Sequence, residues 1–176
     1  MSRGRTWPAI AVSLLIGGVG CAKDVSDDPP GSTVDARTTR PPPPDDQLVW
    51  RPANLTNFTS YPEPGSEECQ DFNGCTWAGR FAFVDGQQTE AWVMAHNIAA
   101  VHSNDSPTYE LKTLRVRDGE RTIDVTVYDE CSDSDCDGCC TRNASETGFL
   151  IDLESYTAER FGTLDGVVEF ACLDCD

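Results

Sequence analysis

Residues 121–170 read RTIDVTVYDECSDSDCDGCCTRNASETGFLIDLESYTAERFGTLDGVVEF. The opening residues alternate. Ile123, Val125 and Val127 fall on one face, and Thr122, Asp124, Thr126 and Tyr128 on the other, which is the period of a half-buried strand. The strand ends at Asp129, and a loop dense in cysteine and aspartate follows. A second apolar run, Gly148–Leu153, carries Asp152. Ser155–Phe161 then reads as a short helix that Ser155 caps and Gly162 stops, and Gly166–Phe170 as a closing strand. Two strands, one ending at Asp129 and one carrying Asp152, therefore frame the question of function.

Outward from this stretch, the domain is a series of short apolar runs separated by Gly, Asn, Asp and Pro. Asn57–Tyr61, Arg80–Val84, Glu90–His96 and Thr113–Arg117 read as further strands, with Asp85-Gly86 and Asp118-Gly119 as turns. Besides Ser155–Phe161, one more helical turn fits around Asn97–Val101. Short strands at this spacing predict a closed small barrel or a sandwich.

Three tracts narrow that choice. VTVYDEC (125–131) resembles the V-x-V-x-D-x-C of the double-psi β-barrel superfamily of expansins, barwin-like proteins, barrel-type endoglucanases and rare lipoprotein A. FLIDLESYTAERFG (149–162) resembles its hydrophobic-D-L-S-x-x-A-F tract, and GVVEF (166–170) its closing strand. The resemblance spans most of residues 55–170 and is most specific after Leu111. It implies a mainly β fold, a six-stranded double-psi β-barrel with one or two short helices. It also implies that Asp129 and Asp152 are the candidate catalytic pair, and that Asn57 or Thr59 supplies the polar group that expansins keep beside the second aspartate. In family endoglucanases such carboxylates flank the glycosidic bond as acid and base. Expansin-like members keep the aspartate equivalent to Asp152 without an effective base, and loosen glycans without cutting them. Rare lipoprotein A acts on peptidoglycan as a lytic transglycosylase. No second, aromatic-faced sandwich of the two-domain expansin kind is expected after Phe170.

Hydrolysis with inversion needs carboxyls about 6.5–9.5 Å apart, with the acid's pKa raised. A purely structural use of the same residues is also open. Asp129 ends a strand, where an aspartate often bonds turn amides, and Asp152 precedes a helix whose positive end it would favour. Tyr61, Trp77 and Tyr128 are candidate sugar-stacking side chains beside Asn57 and Thr59, whereas Trp92 in AWVMA reads as core. His96 and His102 form no recognisable metal motif, and no Ser or Cys has a nucleophile's context, so neither cofactor nor metal is expected.

The N-terminus reads as an export signal. Arg3 and Arg5 precede the short apolar stretch Ala9–Gly20, and Gly18-Val19-Gly20-Cys21 resembles a bacterial lipobox that makes Cys21 the lipidated first residue. Residues 21–47, rich in Pro and Asp, read as an extended tether, and 48–176 as the barrel domain. Eight further cysteines remain: Cys69, Cys75, Cys131, Cys136, Cys139, Cys140, Cys172 and Cys175. In an exported domain they read as a disulfide framework. Adjacent Cys139 and Cys140 should take different partners, with the early and C-terminal pairs as plausible ones. Zinc held by Cys136-x-x-Cys139 and Cys172-x-x-Cys175 is the competing arrangement. Asp133–Gly138 opens like a calcium loop, but Ala144 stands where its bidentate glutamate belongs.

Without residues 1–20 the chain keeps 11 basic residues against 30 acidic. So negative a surface argues against nucleic acid and against anionic headgroups, leaving membrane contact to the lipid alone. The resulting expectation is a monomer, exported and lipid-anchored at the bacterial outer membrane or cell surface. Its partner would be peptidoglycan or a β-glucan, bound or remodelled without hydrolysis. The alternatives are a lytic enzyme using the same aspartates, and a stapled protein-binding module.

Overall fold

The computed structural model describes residues 43–71 and 74–175. The signal, the lipidation residue Cys21 and most of the tether lie outside them. Six strands close a ring: β1 (Arg51–Phe58), β2 (Ile98–His102), β3 (Thr113–Asp118), β4 (Arg121–Cys131), β5 (Leu150–Glu154) and β6 (Gly166–Cys172). Around the ring they run β1-β5-β2-β4-β3-β6. β1·β5 and β2·β4 are parallel, and the four remaining pairs are antiparallel. This is the expected six-stranded double-psi β-barrel. Alternate residues fill it, from Ala53 and Leu55 of β1 to Val168 and Phe170 of β6. Ile123, Val125 and Val127 share the inward face, as their spacing predicts. At one end Phe149 stacks on Phe170 with centroids 4.3 Å apart, and the Arg51 guanidinium lies 4.9 Å from the Phe170 ring.

A second apolar cluster lies outside the ring. Val93, Ile98 and Phe81 are buried there among Phe58, Tyr61, Trp92, Tyr128 and Tyr156. This cluster explains where the sequence reading fails. Glu90–His96, expected as a strand, is helix α2 (Glu90–Ala95): Thr89 caps it by accepting from the Trp92 amide, and its turn brings Val93 and Trp92 onto one face. Asn97–Val101, expected as helix, is instead β2. Every residue of that strand is buried, so no polar alternation marks it. Arg80–Val84 is a loop with one isolated bridge between Phe81 and Val84. The first strand begins at Arg51, although Pro52, Asn54 and Asn57 are poor strand formers.

The described residues hold five α-helices, all short, rather than one or two: α1 (Glu67–Gln70), α2, α3 (Ser106–Tyr109), α4 (Cys139–Asn143) and α5 (Ser155–Phe161). No described helix is long and apolar enough to cross a membrane. α5 falls where expected and stops at Gly162, whose φ is 78°. Its cap is Glu154 rather than Ser155: the buried carboxylate accepts from the Tyr156 amide and from the Ser60 and Ser155 hydroxyls. The helix-supporting role open to Asp152 therefore falls to Glu154.

All eight domain cysteines pair, but locally: Cys69–Cys75, Cys131–Cys140, Cys136–Cys139 and Cys172–Cys175. Cys139 and Cys140 do take different partners. Neither partner is in the early or the C-terminal pair, because the loop folds back on itself.

Candidate functional site

The site begins with an irregularity in β4. Ala99 of β2 pairs with Val127, yet Ala100 pairs with Asp129, so Tyr128 is an extra residue. Val127 points into the barrel, and strict alternation would send Asp129 there too. The bulge turns it outward, the re-aiming for which bulges are used. On its other side Ala100 pairs with Asp152 of β5, and Asp152 pairs with Thr56 of β1. Thr56, Asp152, Ala100 and Asp129 thus form one row across four neighbouring strands. Two strand steps place the aspartate Cα atoms about 10 Å apart.

Each aspartate is held differently. The Thr56 hydroxyl donates to the Asp152 carboxylate at 2.8 Å. Burial nevertheless pushes the pKa of Asp152 up to about 7, and the charges of Asp129 and Glu68 push the same way against the Thr56 bond. Asp129 accepts from the Ala82 amide at 2.9 Å, and burial raises its pKa to about 6 despite that bond. The carbonyl of the bulged Tyr128 is taken by the Phe83 amide at 3.0 Å. Consecutive residues of the 78–88 loop thus bond the bulge and the carboxylate it exposes.

That loop forms one wall of a cleft of about 630 Å³. Trp77, Arg80, Phe81 and Ala82 line one side; Asp129, Glu130, Ser132 and Asp135 line the other. Trp77 is 62 % exposed, an unusual state for so large an apolar side chain. Gly79 sets the loop's path: at φ +66° its amide donates to Ser60, while its carbonyl accepts from Gln88 at 2.7 Å. A Cβ there would lie 2.3 Å from the Gln88 carbonyl and 2.5 Å from the Tyr61 hydroxyl.

Of the residues expected at the site, Trp77 and Asp129 line this cleft. Asp152 joins the row one strand beyond Ala100 and is not among the lining residues. The polar partner of Asp152 is Thr56, neither Asn57 nor Thr59: Asn57 points away and donates to the Leu164 carbonyl. Thr59 follows the strand and is not part of the lining. Tyr61 and Tyr128, expected as stacking side chains, are half-buried in the outer apolar cluster and do not line this cleft. Tyr61 donates to the Gln88 carbonyl behind Gly79, and Tyr128 packs 5.5 Å from Trp92. Trp92 joins the outer apolar cluster, stacked on His96 at 3.9 Å. Thr56, Arg80, Phe81, Glu130 and Asp135 are site residues that the sequence reading passed over. For Thr56 the signal was alternation: counting back by two from Phe58 puts it on the outward face.

The loop Asp133–Gly138 does not gather its aspartates as a calcium site would. Asp133 accepts from both the amide and the hydroxyl of Thr141, and those bonds hold its carboxyl below the usual range.

No protein-family model matches the chain, and no curated protein sequence matches it. Among solved structures the chain is similar to a Streptomyces papain inhibitor. The two share 15 % identity over 72 % of this chain and 97 % of that one, with a TM-score of 0.38. At that level the fold rests on the strand pairing above, and the inhibitor's activity is said of that protein alone.

Proposed function

We propose that this protein binds a cell-wall polysaccharide and loosens it without breaking a glycosidic bond. One observation carries the reading: the cleft offers an exposed tryptophan face and the Asp129 carboxylate, while Asp152 stands behind Ala100, bonded to Thr56. Cleavage with inversion needs both carboxyls on one linkage, with water between the base and the sugar. Here only one of the two lines the cleft, and the Ala82 amide already holds one of its oxygens. Trp77 would supply the stacking face and Asp129 a hydroxyl contact, with Asp152 setting the field behind them. We place the molecule, with the lipobox reading, on a lipid anchor facing the wall.

The test is a pulldown of the purified chain with peptidoglycan, cellulose and chitin, with the supernatants analysed for soluble sugar. Retention without released fragments is expected, weakened about tenfold or more by Trp77→Ala, the loss of about 1.4 kcal/mol. Asp129→Asn should also weaken it. A second reading, a lytic enzyme, draws on the pKa of about 7 at Asp152, which suits a general acid. Fragments released by the native chain and abolished in Asp152→Asn would select that reading. Retention on none of the three polymers would overturn both and point to a protein partner. Radiolabelled fatty acid incorporated by the native chain but not by Cys21→Ala would support the anchor.

A further inference from the structure

Four cysteines converge where β4 ends. The sulfurs of Cys136 and Cys140 lie 3.8 Å apart, as do those of Cys139 and Cys140. The sulfurs of Cys131, Cys139 and Cys140 all fall within 4.8 Å of one another. A tetrahedral zinc with Zn–S bonds of about 2.3 Å spaces its sulfurs about 3.8 Å apart. The two contacts between the separate disulfides therefore already have that spacing; the bridged pairs would have to open from bonding distance on reduction, and Cys131 and Cys136 share no ligand-distance group.

The backbone is also shaped for it. Asp137 and Gly138 both take positive φ, 51° and 80°, so the chain doubles back between Cys136 and Cys139. The Cys139 amide donates to the Cys136 sulfur at 3.2 Å, a bond that favours the thiolate form. Bonds other than the disulfides hold the loop to the barrel. The Asp133 carboxylate grips Thr141, and the Thr141 hydroxyl lies 3.1 Å from His102 Nε2 on β2.

We propose that, once both disulfides are reduced, Cys131, Cys136, Cys139 and Cys140 form a site for one zinc-like divalent cation. Asp133 also lies within 4.8 Å of the Cys136 and Cys140 sulfurs, as a substitute ligand. A phosphine gives two electrons to each disulfide and becomes a phosphine oxide by taking the oxygen of one water, whose two protons go to the two sulfurs; two phosphines and two waters thus yield four thiols. The cation then displaces four protons and leaves the cage with a charge of −2. The oxidised loop has no thiolate to offer. The zinc set that competes with disulfides in the sequence, Cys136 and Cys139 with Cys172 and Cys175, is not the one the fold brings together: among the described residues, Cys172 and Cys175 join no ligand-distance group. Ser132, Ser134 and Asp135 lie between the ligands in sequence and line the cleft, so the cation would hold the cleft's acidic wall while the bridges are open.

The test uses the full chain, reduced with a phosphine, desalted without oxygen and titrated with Co²⁺. The readouts are thiolate-to-cobalt charge-transfer absorption and the melting temperature. One equivalent should saturate the absorption, Zn²⁺ should displace it, and either ion should raise the melting temperature of the reduced chain alone. The Cys136→Ser/Cys139→Ser variant should lose the absorption, and Cys172→Ser/Cys175→Ser should keep it. Absent absorption at tenfold Co²⁺ overturns the proposal. So does absorption that survives the first variant, disappears in the second, or develops equally in the oxidised chain.

Discussion

Asp152 combines two costs: a carboxylate removed from water, and a second carboxylate two strands away. Its pKa in the fold, about 7, lies above its ordinary value of 3.8. Between those values the folded chain binds more protons than the unfolded one, so stability falls as pH rises through the window. The penalty is fully present above pH 7. Asp152→Asn keeps an oxygen for the Thr56 hydroxyl and removes the charge. That variant should be more stable than the native chain by about 2–4 kcal/mol at pH 8 and nearly equal to it at pH 4, as urea titrations at the two pH values would register. Thr56→Val removes the donor that favours the ionised form, so it should move the titration of Asp152 further up, visible in the carboxyl ¹³C shift. Asp129 lies at about 6: burial raises it, and the amides of Ala82 and Glu130 offset part of that rise. The placement of the two aspartates on β4 and β5 was legible in VTVYDEC and FLIDL. Their shared neighbour Ala100 was not, since pairing register is set by three strands at once.

At the scale of elements, the 78–88 loop does what a strand was expected to do. Arg80–Val84 alternates aromatic and small residues like a strand, but its amides bond one residue of the bulge and one side chain instead of a ladder. Gly79 makes this possible. Gly79→Ala introduces a Cβ inside the van der Waals radius of the Gln88 carbonyl at a positive φ, so it should cost about 2 kcal/mol or more. Hydrogen exchange should show the loss concentrated at the Ala82 and Phe83 amides. The helix–strand reversal at 90–102 has one physical origin. The outer apolar cluster buries a face of α2 and Ile98 of β2, while Ala99 and Val101 enter the barrel core; burial on both faces erases the polar half of the strand's pattern, and the helix is left an apolar run too short to show its period. By contrast β3, β4 and α5 were legible. Each is bounded by a residue with a backbone requirement: Gly119 at φ 59° in the β3–β4 turn, and Gly162 at φ 78° after α5.

At the scale of the whole molecule, no disulfide among the described residues joins one barrel strand to another. Sequence separations within the four bridges run from 3 to 9 residues, so each staples a loop or a strand end to its own neighbourhood. Closing so short a loop is worth about 2–3 kcal/mol in the chain-entropy account. Cys172→Ser/Cys175→Ser should therefore lower the unfolding free energy by about 2 kcal/mol in urea while leaving retention on wall polymer unchanged. The ring is held instead by its ladders and its core, with β1 bonded to β5 on one side and β6 on the other. A sheet closed in this way has no strand whose amides and carbonyls wait for a partner from another molecule. Growth of a fibril from the native state would first need the β1·β6 seam to part. Crowded copies should therefore meet as like-charged colloids, with association governed by salt and surface charge.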